Sequence, residues 1–381
     1  MSVSPTPQQP RLSTLPEQKA KAAIKLLEQK ILDEFGYRVN LGAEIEFVVK
    51  AKPQFNRANP LDVPHAKMET TVEDFTPQGW RPEAPADPAK RDPKMAYRDD
   101  VLFPDSPYIC YSYLESQLAQ RPPLYKYEAV ISHRAIEKEE RGMEHSRGVH
   151  LGDVIEATNK LILGEYPGDK LPSGPYFEHV KALRARTEAT YLTPYIDHIT
   201  SGLHINVSLS HPQYEPSPAA HEVLARAIKD TTLDGLFLLG TDEASMQRYE
   251  KRNRAKYVKN SGDYLENALP SASSNPYYAT LLTLAGVYEG LSRMQGKTLP
   301  PAYAPEKPGL FHRGDSLHHV ASTKEHVEEI FFRENNTLTR VLNTVQPGLG
   351  DDFRETIRTY PPGKEMRRVT IPGYSEGAAV S

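Results

Sequence analysis

Cysteine is almost missing from this 381-residue chain: Cys110 stands alone, so no internal disulfide can form and the chain suits a reducing compartment. Also missing is any apolar run near the ~20 residues that span a bilayer. The opening stretch MSVSPTPQQPRLSTLPEQ has no apolar centre of the kind that marks a secretory signal. Nor does one sign of charge dominate. Lys and Arg number 46 against 50 Asp and Glu, the formal net charge is −4 and the pI is near 6.4. Without a broad cationic field, binding to nucleic acid or anionic membrane driven by bulk charge is excluded. The expectation is a soluble cytoplasmic protein, long enough for one large domain or two ordinary ones.

Residues 1–12 are polar and Pro-rich and read as a disordered tail. Thr14 precedes Glu17 at capping-box spacing, and Ile24, Leu27, Ile31 and Phe35 recur on one side of a helix that Gly36 can end. Next comes LGAEIEFVVK, a strand with Ile45, Phe47 and Val49 on one face and Glu44 and Glu46 on the other. Prolines crowd residues 51–107 and resist both helix and central strand, so the segment reads as a long insertion. Tyr108 to Gln120 reads as helical, and LYKYEAVIS as a second strand, bearing Glu128. Helices are expected from about Asp153 to Leu163 and from Tyr176 to Ala189. In SGLHINVSLS, His204, Asn206 and Ser208 alternate with Leu203, Ile205 and Val207, the pattern of a third strand.

A helix is expected over Ala219 to Leu239, followed by two short strands around Asn260-Ser261-Gly262-Asp263, with Glu266 on the second. SSNPYYATLLTLAGVYEGL then has a capping group ahead of Pro276, which fits a first helical turn, and continues as a long apolar helix. Further helical patterns lie at Thr323 to Phe332 and Asn336 to Thr344, and residues 361–381 read as a loose tail.

Glutamates at i and i+2 on a strand project to one side, where their charges repel unless something lies between them. A divalent cation is the simplest partner. Oxygen-rich sites suit Mg²⁺ or Mn²⁺, and one imidazole among carboxylates favours a site that tolerates Mn²⁺. Taken singly, Glu44, Glu46 and Glu128 also fit a solvated strand face, His204 a hydrogen-bonded core histidine and Glu266 a surface acid. Each nevertheless falls on a short strand.

The ordered set GAEIEF, SGLHINVSL, NRAKYVK, YLENALPS and NPYYATLLTLAGVYEG resembles the catalytic domain of the glutamine synthetase family, over roughly Leu41 to Leu291. That family writes these places as G-x-E-x-E-F, G-x-H-x-H-x-S, N-R-S, E-x-R before a proline, and N-P-Y-x-A opening a helix that ends in A-G-x-x-G. The resemblance implies an α+β fold across residues 13–360, a curved antiparallel sheet flanked by helices, and two or three Mg²⁺ or Mn²⁺ ions. Glu46 and Glu128 match ligands of the metal near the substrate; Glu44, His204 and Glu266 match ligands of the metal near the nucleotide phosphates. Glu144 stands near a further glutamate of the family, with Glu140 competing. Asn206 and Ser208 fall on the nucleotide side, and Arg254 and Lys259 where the family has phosphate-binding arginines. Arg254 is also the candidate to stabilise charge in phosphoryl transfer.

The implied chemistry is transfer of the γ-phosphoryl of ATP to a carboxylate, giving an acyl phosphate that an amine attacks. This sequence departs from the family in several places. Only some 40 residues precede Glu44, where the family has a β-grasp domain of about a hundred; the usual ring-shaped oligomer is therefore not expected. The substrate-holding Asn-Gly loop is replaced by IDHITSG, the second histidine of the G-x-H-x-H strand is Asn206, and the arginine of E-x-R is Ala268. These changes fall on substrate recognition more than on metal binding. They point to a ligase for glutamate or a γ-glutamyl-like compound with an amine other than ammonia. The alternatives are a glutamate–cysteine ligase-like or guanidino-kinase-like enzyme, and a pseudoenzyme that keeps the fold as a binding or structural module.

Overall fold

The computed structural model describes residues 15–51, 108–113, 124–131, 151–163, 187–192, 195–196, 199–211, 217–252, 257–260, 264–296 and 323–362. The expected insertion at 51–107 apart from Ala51, which ends a strand, the tails at 1–12 and at 361–381 apart from Pro361 and Pro362, and Glu140, Glu144 and Arg254 lie outside the described residues.

Strand β1 (Arg38–Ala51) is the spine of an open antiparallel sheet. Along one edge, Ala43 to Lys50 pair with β3 (Leu124–Ile131), which pairs in turn with β2 (Tyr108–Tyr113). Along the other edge its first half pairs with β7 (Leu203–Ser210) and its second half with β4 (Thr187–Tyr191). The sheet continues from β7 through β9 (Leu265–Asn267) to β8 (Val258–Asn260). Strands β5 (Tyr195–Ile196) and β6 (Ile199–Thr200) form a separate pair. With its helices this is the α+β architecture expected from the sequence.

Alternation decides which face of the sheet is covered. Ala43, Ile45 and Phe47 of β1, Leu203, Ile205 and Val207 of β7, and Leu265 of β9 are buried together in the core. Against them lie α1 (Leu15–Phe35), α2 (Leu151–Leu163), α3 (Pro218–Asp234) and α6 (Pro276–Met294). Helix α6 starts as its sequence demands: the Asn275 side chain accepts from Tyr277 N at 3.0 Å, and Pro276 fills the first turn. All residues from Pro276 to Ser292 are buried, so this mostly apolar helix is enclosed around its whole circumference and runs through the core. Gly286 permits a close backbone approach, since a Cβ there would stand 2.4 Å from Ile228 Cα of α3. Asn267, on the covered face of β9, donates from Nδ2 to Thr232 Oγ1 of α3 and Thr283 Oγ1 of α6, both at 3.0 Å.

The helix expected over residues 219–239 is broken at Gly235 into α3 and a short α4 (Leu236–Leu239). A Cβ at Gly235 would stand 2.1 Å from Leu282 Cδ2 of α6, so the break lets the chain turn tightly over that helix. Helix α5 (Glu243–Arg252) follows, and α7 (Lys324–Phe331), α8 (Thr337–Val345) and α9 (Leu349–Thr359) close the described chain. Two expectations are corrected. Residues 108–113 of the supposed helix form β2, because the β-forming residues of YICYSY find a partner ladder in β3. Residues 187–189, assigned to the end of a helix, belong to β4 and pair with the far end of β1.

Candidate metal centre

The face of β1 opposite the core carries Asn40, Gly42, Glu44 and Glu46, and that of β7 carries His204, Asn206 and Ser208. The register sets Asn40 opposite Ser208, Gly42 opposite Asn206 and Glu44 opposite His204. It also sets Asn206 opposite Glu266 and Glu266 opposite Lys259. Antiparallel pairing thus brings acids remote in sequence around one imidazole. Glu128 is the register partner of Glu46 across β1 and β3.

Glu44, Glu46, His204 and Glu266 are all buried. His204 Nδ1 lies 3.1 Å from Glu44 Oε2 and 3.1 Å from Glu266 Oε1, while Nε2 lies 3.8 Å from Glu46 Oε2. Among the described residues Nε2 has no hydrogen-bond partner. Burial alone would lower the imidazole pKa, but the Glu46 charge and the contacts with Glu266 and Glu44 outweigh it and raise His204 from 6.5 to about 9. Burial would likewise raise Glu266. Instead His204 and Lys259 hold it at about 2. The Lys259 ammonium donates to Glu266 Oε1 at 2.7 Å and Oε2 at 3.0 Å, and Asn206 Nδ2 donates to Glu44 Oε1 at 2.9 Å.

Facing atoms of Glu44, His204 and Glu266 all lie within 4.8 Å of one another, so these three could hold a metal ion. Adjacent ligands around an octahedral ion bound at ~2.1 Å stand about 3.0 Å apart. The two 3.1 Å separations about His204 Nδ1, which are hydrogen-bond contacts, fall close to that edge. Two carboxylates and an imidazole also supply the oxygen and nitrogen donors that Mg²⁺ or Mn²⁺ accepts.

Behind the group, buried Arg248 of α5 donates through Nη2 to the carbonyls of Ala268 and Pro270, at 2.8 and 3.1 Å. This clamps the chain leaving β9 just beyond Glu266. Gly202 lies between Arg248 and His204: a Cβ there would be 2.6 Å from Arg248 Nη2 and 2.8 Å from His204 Nε2. The structure therefore brings together Glu44, Glu46, His204, Asn206, Lys259 and Glu266 of the candidate residues. Ser208 stands one alternation further along the same face, 3.4 Å from Asn40 Nδ2. Asn40 and Arg248 were not singled out in the sequence. Asn40 continues the period-2 row of Glu44 and Glu46 and was legible by that signal, whereas nothing local marks Arg248.

No protein-family model matches the sequence, and no curated protein is recognisably similar to it. Solved structures similar to the chain include γ-glutamylmethylamide synthetase without ligand, at 15% identity and a TM-score of 0.45, over 92% of this chain and 76% of that one. An ADP complex of the same enzyme has 14% identity and a TM-score of 0.46, over 91% and 74%. A cryo-EM structure of Plasmodium falciparum glutamine synthetase has 10% identity and a TM-score of 0.43, over 90% and 75%. The likeness in each case is to a glutamine-synthetase-type enzyme and concerns the fold alone. The functional argument rests on the residues of the sheet.

Proposed function

We propose that this chain is an ATP- and divalent-metal-dependent carboxylate–amine ligase of the glutamine-synthetase kind. The observation that carries the reading is the convergence of Glu44, His204 and Glu266, from three strands, with the spacing of ligands around one small cation. Glu46, beside the group, and Glu128, its register partner, are the residues for an ion nearer the carboxylate substrate. Ser208, Lys259 and Asn206 lie toward the other end of the row, the side assigned to the nucleotide, and Arg254 and Glu144 complete the proposed set. The ions, Mg²⁺ or Mn²⁺, would neutralise phosphate charge when bound.

The chain's own groups have separable tasks. Glu44 and Glu266 supply fixed negative charge in a site shielded from water, where each charge acts more strongly than at the surface. His204 must shed its proton before it can ligate, and the surrounding carboxylates oppose that loss until an ion replaces the proton. Lys259, with its side chain 44% exposed, can reach from Glu266 toward an anionic oxygen without leaving β8. The changes at residues 196–202 and at Ala268 fall on the substrate side, which supports an amine other than ammonia and a glutamate or γ-glutamyl-like carboxylate.

Calorimetry with Mn²⁺ and ATP on the wild type and on the Glu46→Ala and Glu266→Ala chains tests the site. Each variant is expected to lose at least about tenfold in metal–nucleotide affinity. If both bind as tightly as wild type, the assignment is wrong. ADP release across panels of carboxylates and amines then separates the ligase from its rivals: turnover only with a guanidine or a thiol-bearing amino acid favours the related enzymes. Tight metal–nucleotide binding without turnover on any pair favours a pseudoenzyme.

A further inference from the structure

On the polar face of the sheet, Asn206 stands across from Gly42, a residue with no side chain, and not across from Glu44. With no neighbour at its own rung of β1, its amide reaches diagonally and donates from Nδ2 to Glu44 Oε1 at 2.9 Å. A carboxylate only accepts, so this contact fixes which end of the amide is the nitrogen. Asn206 Oδ1 is then left buried and without a hydrogen-bond partner among the described residues. An unsatisfied buried carbonyl costs stability, so the amide is not there merely to satisfy itself.

The effect on Glu44 is to divide its two oxygens. Oε1 is held by Asn206, and Oε2 is turned to His204 Nδ1 at 3.1 Å. Glu266 is not divided in this way: Lys259 Nζ lies 2.7 and 3.0 Å from its two oxygens. Mg²⁺ and Mn²⁺ bind at close to 2.1 Å in octahedral sites and use single carboxylate oxygens. Ca²⁺ takes six to eight oxygens at 2.3–2.6 Å and readily spans both oxygens of one carboxylate.

We propose that Asn206 is a positioning residue that makes the site select a small octahedral ion over Ca²⁺, by holding Glu44 to one metal-facing oxygen. This rests on the metal reading of the Glu44, His204 and Glu266 group. It also gives a reason for an amide where the resembled family has a second histidine: Nδ2 supplies a donor to Glu44.

The test is a pair of calorimetric titrations, Mn²⁺ alone and Ca²⁺ alone, on the wild type and on the Asn206→Leu, Asn206→Ser and Asn206→His chains. The readout is the ratio of the two affinities, which a general loosening of the fold would not move. In Asn206→Leu the preference for Mn²⁺ is expected to fall at least about tenfold, because Glu44 can then open both oxygens to the larger ion. Asn206→Ser, too short to reach Glu44, should behave alike and serves if the leucine chain does not fold. Asn206→His should keep the preference within about threefold, since its ring nitrogen can still donate to Glu44. If leucine and serine weaken both ions by the same factor, or leave the ratio unchanged, Asn206 has no such role and the metal reading still stands. A wild type that binds neither ion overturns the metal reading and this inference together.

Discussion

Raising the pH from 6.5 to 8.5 should tighten Mn²⁺ binding by about a hundredfold, because the ion must displace a proton from His204. In the metal-free protein the imidazole is protonated up to about pH 9, held by Glu46, Glu266 and Glu44 against the penalty of burial. Below that value the deprotonated, ligating fraction rises tenfold for each pH unit, and apparent affinity rises with it. The same group makes a signed contribution to folding. Its folded pKa is raised above 6.5, so its stabilisation is complete below pH 6.5 and is lost as pH climbs through about 9. The rise corresponds to a net stabilisation on the order of 3 kcal/mol, what the carboxylates leave after offsetting the burial penalty. Titration calorimetry in buffers of different ionisation enthalpy counts the protons directly, and about one should leave per ion near pH 7. The His204→Gln chain should bind more weakly and lose most of the pH slope. A flat affinity between pH 6.5 and 8.5, or an equal slope in His204→Gln, would refute the reasoning.

Two further substitutions test the packing that holds the centre. Gly202→Ala would drive a methyl group against Arg248 Nη2 and His204 Nε2, both on side chains already tied down, so Mn²⁺ affinity and the melting temperature should fall together; a variant indistinguishable from wild type in both would show that the clamp yields freely. Gly286→Ala sets a Cβ against the backbone of Ile228, where nothing flexible can give way, and should cost about 3 kcal/mol in denaturant unfolding. A loss below about 1 kcal/mol would mean that α3 and α6 separate more easily than their contact implies.

How much of this was legible in the sequence follows from how local each signal is. Strands β1 and β7 could be read from period-2 alternation, and α6 from Asn275, Pro276 and the apolar run after them, because each signal lies within its own segment. Strand β2 could not. YICYSY is ambiguous until paired with β3, and pairing is a fact about two segments. The same holds for β4, which belongs to the sheet only through the end of β1. Helices α5 and α9 are polar enough that their apolar residues were not read as a stripe. In the centre, Glu44, His204 and Glu266 were each ambiguous alone. What joins them is register, which a single sequence does not state. The contacts of Asn206 with Glu44 and of Lys259 with Glu266 depend on that same register, and on a missing side chain at Gly42.

Because α6 is enclosed from Pro276 to Ser292, its backbone amides meet solvent only when the surrounding layers come apart. Deuterium uptake along that segment therefore gauges the opening of the sheet–helix unit as a whole, from the side of the sheet opposite the candidate ligands. An ion that binds only the folded chain must slow this uptake by the factor that its own concentration and affinity dictate. The helix thus offers an occupancy meter for the metal centre that works even where no product is formed.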